Sequence, residues 1–362
     1  MSREFGTRLT QAIETEFAEH GDIPGMVVAV RSPEGTYENA FGWANVETKA
    51  PMSVDAIFGI GSVHKVFKWT TLHLLAQDGL IDLDGPVNDY TAEPELPGVT
   101  VRHLVQHSSG MPDLPDIEDY NNAIAQDQTR LFSYDDVLSL LGGSSGSNSY
   151  GSFANGRLSD FVPGQNMSYS SIGPVVGNRI VETVTGINAR VFTAERIFEP
   201  LALDNTSFMG FEPDPERLAD GYATPETVNQ FFPTAEATMG LSSANGGALH
   251  STAADVADFG HTLFVGNGLL TATTQDELFT SPLQGPGMRA GNGIIQFDAW
   301  RESGWWGHAG FGIRSHSSVL LHQPDIDLTV VVITNVYTPL DDYRTNVAVA
   351  DAILREFRSE TP

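Results

Sequence analysis

Strand-like runs stand near both ends of this 362-residue chain, and they constrain its fold more than any other feature. Gly25-Met-Val-Val-Ala-Val-Arg31 and Thr36 to Trp43 flank the turn signal Ser32-Pro33-Glu34-Gly35, which is the pattern of an antiparallel hairpin. Ser317-Ser-Val-Leu-Leu-His322 and Asp327-Leu-Thr-Val-Val-Val-Ile-Thr334 flank Gln323-Pro324-Asp325 and read as a second strand pair. A helix lies outside each pair. Leu9, Ala12, Ile13 and Phe17 are spaced for an amphipathic helix over Leu9 to Ala18, and another is expected from about Asp341 to Phe357. The stretch from about Pro86 to Met239 is richer in helix patterns, turns and loops. Its Ser/Gly-rich run, Gly142 to Ser152, reads as a flexible surface loop. The expectation is one domain, 1–362, in which an α/β lobe (about 1–85 plus 240–362) carries a mainly helical lobe (about 86–239), with a site in the cleft between them.

A hydrophobic content of 41% fits a soluble globular chain with a sizeable core. No apolar run reaches about 18 residues, and Met1-Ser-Arg-Glu-Phe-Gly-Thr-Arg8 lacks the pattern of a signal peptide, so a cytoplasmic protein is expected. The absence of cysteine excludes disulfides, thiol nucleophiles and thiolate metal sites. The net charge is -27, spread from Glu4 to Glu360, and it repels nucleic acid and anionic membranes, so neither is an expected partner. Spread acidity with scarce lysine also fits adaptation to high salt, where counterions screen the self-repulsion.

Only three lysines occur against sixteen arginines, and Lys65 stands three residues after Ser62 in Gly61-Ser62-Val63-His64-Lys65-Val66-Phe67-Lys68. Arginine stays protonated in a protein, whereas a buried lysine can lose its proton near neutral pH and activate a hydroxyl. The apolar run Val63, Val66, Phe67, Trp69, Leu72, Leu74 and Leu75 predicts a buried helix ending before Gly79, with Ser62 at its N-terminus. Residues three apart share a helix face, which brings the Lys65 amine within reach of the Ser62 hydroxyl. Unpaired N–H groups of the first turn favour an anionic oxygen there, as acyl transfer requires. A lone Ser-x-x-Lys is also an ordinary helix start, so the neighbouring segments carry weight.

Two such segments follow. Pro163-Gly-Gln-Asn-Met-Ser-Tyr169-Ser170-Ser171 precedes the helical run Val175 to Val184, and Gly304-Trp-Trp-Gly-His308-Ala309-Gly310-Phe311-Gly312 precedes the C-terminal strands. Taken alone, a tyrosine such as Tyr169 is more often a packed aromatic with a satisfied hydroxyl, and His308 reads equally as a structural histidine.

In order, Ser62-x-x-Lys65, Tyr169-Ser170-Ser171 and His308-Ala309-Gly310 resemble the three motifs of the serine β-lactamase and penicillin-binding-protein superfamily. They most resemble the peptidase S12-like branch of class C β-lactamases, D-Ala-D-Ala carboxypeptidases, D-aminopeptidases and β-lactamase-like esterases. The likeness extends to Pro24-Gly25-Met26, to the run Val101 through His107 to Pro112, and to Gly246-Gly247-Ala248 through Asp255. It implies an α/β (α+β) β-lactamase/transpeptidase-like fold, with an antiparallel sheet flanked by helices, a mainly helical lobe and the site between them. It also implies Ser62 as the acylated nucleophile, Lys65 as its proton partner, Tyr169 as base and acid for the leaving group, and His308 in place of the lysine of Lys-Thr-Gly. The backbone N–H groups of Ser62 and Phe311 would form the oxyanion hole, and Ser171, Ala309, Gly310 and Phe311 would contact substrate. No cofactor or metal is implied.

Ser171 departs from the asparagine of Tyr-x-Asn, and a serine has no side-chain amide to hold a substrate amide carbonyl. With a neutral imidazole at His308 this favours a small-molecule ester over a β-lactam or peptide. The order of expectation is carboxylic esterase, then D-amino-acid amidase, D-aminopeptidase or D-Ala-D-Ala carboxypeptidase, then β-lactamase. Trp305, Trp306 and Phe311 could line an acyl pocket or pack the core. His103 and His107 are four apart and could share a helix face, but a zinc site built on them lacks a His-Glu-x-x-His glutamate and an obvious third ligand, and the resemblance makes His107 a structural residue in a turn. An α/β-hydrolase would need Gly-x-Ser-x-Gly, which Gly61-Ser62 does not complete. A non-catalytic binding homologue is the reading from another class, and the presence of all three motif positions favours an enzyme over it.

Overall fold

The computed structural model describes residues 1–362 apart from 20–22, 93, 128–129, 144, 149–150, 155–156, 159–160, 210–213, 225–226, 229–247, 267, 281, 301–302, 312–314, 337–343 and 361–362. The expected strands form the centre of a nine-stranded antiparallel sheet. Its order is Leu283–Gly285, Met288–Ala290, Ile295–Phe297, Trp306–Phe311, Ser317–Gln323, Leu328–Thr334, Gly25–Ser32, Gly35–Asn45 and Ala50–Pro51. The N-terminal strand lies directly against the C-terminal one, with Met26 opposite Thr334 and Val30 opposite Val330. Such distant pairing is what a discontinuous lobe requires.

Gly25–Ser32, Ser317–Gln323 and Leu328–Thr334 are buried along their whole length, which explains why they read as continuous apolar runs rather than alternating ones. Successive side chains still go to opposite faces. Met26, Val28 and Val30 pack with Leu9, Ile13 and Phe357 of the terminal helices Arg3–Glu19 and Arg344–Glu360. Val27 and Ala29 face the other way, against Val63, Val66, Phe67 and Phe259. A separate helical core gathers Trp69, Leu72 and Leu75 with Val101, Leu104, Val176 and Ile180. The helix His64–Gln77 therefore supplies two cores from opposite sides, which is why its apolar residues leave no polar stripe.

Three expectations change. The Ser/Gly-rich run is not wholly loop: Ser145–Asn148 pairs antiparallel with Gly151–Ala154, which in turn pairs with Arg157–Leu158. Ladder hydrogen bonds come from the backbone, so polar and small side chains do not forbid them. The buried helix starts at His64, and Ser62 sits in the tighter turn Gly61–Val63 that leads into it. His103 and His107 do not share a helix face, because the helix Val101–Val105 ends before His107. Met239, Gly246, Gly247, Gly312 and Asp341 lie outside the described residues. Among the described residues, no helix is long and apolar enough to cross a membrane.

Candidate active site

Ser62 is placed by a close approach of two backbones. The short strand Phe58–Gly59 pairs with Leu249–Ser251, and Ile60 N–H donates to the Leu249 carbonyl, which ends the strand beside the sheet. Gly61 then turns with φ of 52°, and a Cβ there would lie 2.3 Å from the Phe311 nitrogen. Gly310 is equally restricted, since a Cβ on it would fall 2.1 Å from the Ile60 oxygen and 2.7 Å from the Ser62 nitrogen. No side chain fits in either gap. The two glycines thereby bring the Ser62 and Phe311 nitrogens to the same small region.

One turn on, Lys65 Nζ donates to Ser62 Oγ at 2.9 Å. Lys65 is 1% exposed, and burial pushes its amine down to about 8, against the opposing pull of the Asp113 charge. Ser62 is partly exposed where Lys65 is buried, so solvent reaches the serine but not the amine.

Three rings surround the amine. The Tyr169 ring centroid is 5.2 Å from Lys65 Nζ, stacks on His107 at 4.4 Å and lies 6.1 Å from the His308 ring. His308 Nδ1 donates to the Ala309 carbonyl at 2.6 Å, so its Nε2 is left as an acceptor. That atom is buried without a hydrogen-bond partner among the described residues. Burial, then the Lys65 charge, push His308 down to about 3. His64 donates from Nδ1 to the Gly61 carbonyl at 2.7 Å, and burial holds it well below the usual histidine range. The imidazoles around Lys65 are therefore neutral near pH 7.

Ser62, Lys65, Tyr169 and His308 thus converge from three distant segments, with the Phe311 nitrogen beside them. Ser171 is also near, but its backbone N–H is taken by Asp113 Oδ1 at 2.7 Å. Ala309 can meet a substrate only through its backbone. Its side chain packs in the core beneath the terminal helices, because it alternates with His308 along the strand, and only its backbone faces the site. Phe311 packs toward the same core, so it too offers its backbone rather than its ring. Trp305 is fully buried there and donates to Asp351 Oδ1 at 2.7 Å, while Trp306 packs edge-on to Phe279. Trp305 lies within a core, and Trp306 and Phe311, each partly exposed, pack against one.

Asp113 was not anticipated. It accepts from the N–H groups of Ser171 and Leu114, and burial raises its pKa despite the nearby Lys65. It follows directly on the motif-like run ending at Pro112, which was the available signal. Among the described residues no group of three or more His, Cys, Asp or Glu could hold a metal ion.

Residues 10–354 match the family described as Beta-lactamase. Esterase EstB of Burkholderia gladioli is 25% identical over 368 residues, covering 91% of this chain and 90% of that protein. Penicillin-binding protein 4* of Bacillus subtilis (strain 168) is 26% identical over 213 residues, 59% of this chain and 44% of that protein, so the chain spans less than half of that relative's length. The solved D-amino acid amidase from Ochrobactrum anthropi SV3, complexed with L-phenylalanine amide, superposes with a TM-score of 0.79 at 24% identity, covering 99% of this chain and 100% of that one; this likeness speaks to the fold alone.

Proposed function

The chain belongs to the Beta-lactamase family, and on that premise we propose that it is a serine hydrolase that works through an acyl-enzyme on Ser62, with a carboxylic ester as its substrate. The observation that carries this reading is the 2.9 Å contact from a buried, readily deprotonated Lys65 to Ser62 Oγ. The neutral amine takes the hydroxyl proton as Ser62 Oγ attacks the carbonyl carbon, and the carbonyl oxygen becomes anionic. The Ser62 and Phe311 N–H groups receive that charge. Tyr169 passes a proton to the departing oxygen, the acyl group remains on Ser62, and water releases it by the reverse sequence.

The preference for esters rests on two features. The neutral His308 offers an acceptor, which does not hold a substrate carboxylate as a lysine ammonium would. Ser171 has no side-chain amide with which to hold an amide carbonyl. Asp113 favours a second reading, a D-amino-acid amide, because a carboxyl group bonded to Ser171 gives the site a negative group that suits a substrate ammonium.

The test is the intact mass after treatment with a fluorophosphonate in high salt, with the adduct mapped by digestion, followed by turnover of esters, D-amino amides and β-lactams. A single adduct on Ser62 with ester turnover above amide turnover is expected. No adduct on folded protein would leave a non-catalytic homologue as the better reading, and faster D-amino amide turnover would move the substrate to the second class.

A further inference from the structure

The segment that holds Tyr169 belongs to no step of the proposed chemistry. His107 lies just beyond the helix Val101–Val105 with φ of 49°, a left-handed conformation that is uncommon outside glycine. Its ring stacks on Tyr169, 4.4 Å between centroids and 21° from parallel, and meets Trp69 edge-on at 5.5 Å. Two hydrogen bonds tie down the backbone on either side of Tyr169. Ser168 N–H donates to the His107 carbonyl at 2.5 Å, and Ser170 N–H donates to His107 Nδ1 at 3.2 Å. Since Nδ1 accepts, the proton of the neutral ring sits on Nε2, which is buried without a partner among the described residues. An unpaired buried donor and a left-handed backbone are both unfavourable. A side chain that only filled space would need neither.

We propose that His107 is a positioning residue for Tyr169, a stacking platform that fixes the phenol between Lys65 and His308 so that its oxygen can deliver a proton to the leaving group. The proposal rests on the reading of Tyr169 as the leaving-group acid. It predicts an effect that depends on the leaving group. When a fluorophosphonate labels Ser62, the Oγ–P bond forms, the P–F bond breaks, the serine proton goes to Lys65, and fluoride departs without needing a proton. When an alkyl ester acylates Ser62, the C–O bond breaks and the alkoxide must take a proton from Tyr169.

His107→Asn keeps an acceptor near Ser170 and tolerates the left-handed backbone while it removes the ring. Its kcat/KM for an alkyl ester should fall about 10- to 100-fold, with the rate of Ser62 labelling within about threefold of the parent. His107→Phe, which restores a ring to stack, should recover part of the loss, and it keeps the test open if the asparagine variant does not fold. Equal losses in turnover and labelling would make His107 a fold residue only, and unchanged alkyl-ester turnover would overturn the proposal outright. Tyr169→Phe separates the two failures. If it shows the leaving-group pattern and His107→Asn does not, positioning alone is wrong. If Tyr169→Phe lacks the pattern, the Tyr169 reading fails and the proposal falls with it.

Discussion

Lys65 and Lys68 stand one turn apart on the same helix, and their surroundings differ in the one respect that matters for chemistry. Both are buried, at 1% and 2% exposed, and burial lowers both amines, Lys65 to about 8 and Lys68 to about 7. Lys65 faces the Ser62 turn, with Ser62 Oγ at 2.9 Å and the Tyr169 ring beside it. Lys68 faces the core, with Nζ 4.4 Å from the Phe208 ring centroid and no hydrogen-bond partner among the described residues. The aromatic face favours an ammonium there, but burial and the Arg190 charge oppose it and win. A depressed lysine pKa therefore does not identify the reactive amine; a hydroxyl within hydrogen-bond reach and a path to solvent do. Lys49 is the exposed one of the three lysines. The scarcity of lysine in this chain is thus largely a property of its surface.

The largest effect should come from Lys65→Arg, which keeps a cation and removes the base. Turnover should fall about 10²- to 10⁴-fold, while Lys68→Met stays near the parent, and the reverse ranking would break the contrast. In the parent, the kcat/KM profile should rise with pH through about 8 as Lys65 loses its proton. Lys68→Met should leave that rise in place.

Stability should respond the other way. The folded-state pKa of Lys68 lies below that of the unfolded chain, so the folded protein binds fewer protons in the window from about 7 up to 10.5. Stability from this group therefore increases with pH across that window, and the penalty is fully present below it. Lys68→Met should raise unfolding free energy by about 2 to 4 kcal/mol at pH 7, with the gain shrinking toward pH 10.5. A destabilised variant by chemical denaturation would mean that the ring contact outweighs burial.

Smaller changes sharpen the Lys65 side. Ser171→Asn supplies the missing amide and should raise the ratio of amide or β-lactam turnover to ester turnover about 2- to 10-fold, the worth of one hydrogen bond. An unchanged ratio would detach Ser171 from substrate choice. Last, the midpoint of thermal unfolding should rise by about 2 °C or more between low and molar KCl, because counterions screen the net charge of -27. A flat response would remove the high-salt reading.

Much of the fold was legible because its signals are local. The central strands are unbroken apolar runs bounded by turn residues, and the terminal helices carry a clear apolar stripe. The pairing of Ser145–Asn148 with Gly151–Ala154 was not legible, since a ladder of backbone hydrogen bonds leaves no mark in a Ser/Gly sequence. Within the site, His107 reads as a turn residue and Asp113 has no signal of its own beyond its place after Pro112. What both do depends on their contacts with Tyr169-Ser170-Ser171, far along the chain.

By itself the sequence determined the spacing of Ser62 and Lys65, because a three-residue interval puts two side chains on one side of the chain in the tight turn as in the helix that follows it. It determined equally that Lys68 follows Lys65 at the same interval. Which amine meets a hydroxyl, and which is sealed beneath Phe208, was decided only when the sheet, the Tyr169 loop and the helical core closed around that helix. Proton affinity depends on solvent exclusion and on charges brought from distant segments, and those are properties of the packed structure rather than of the spacing.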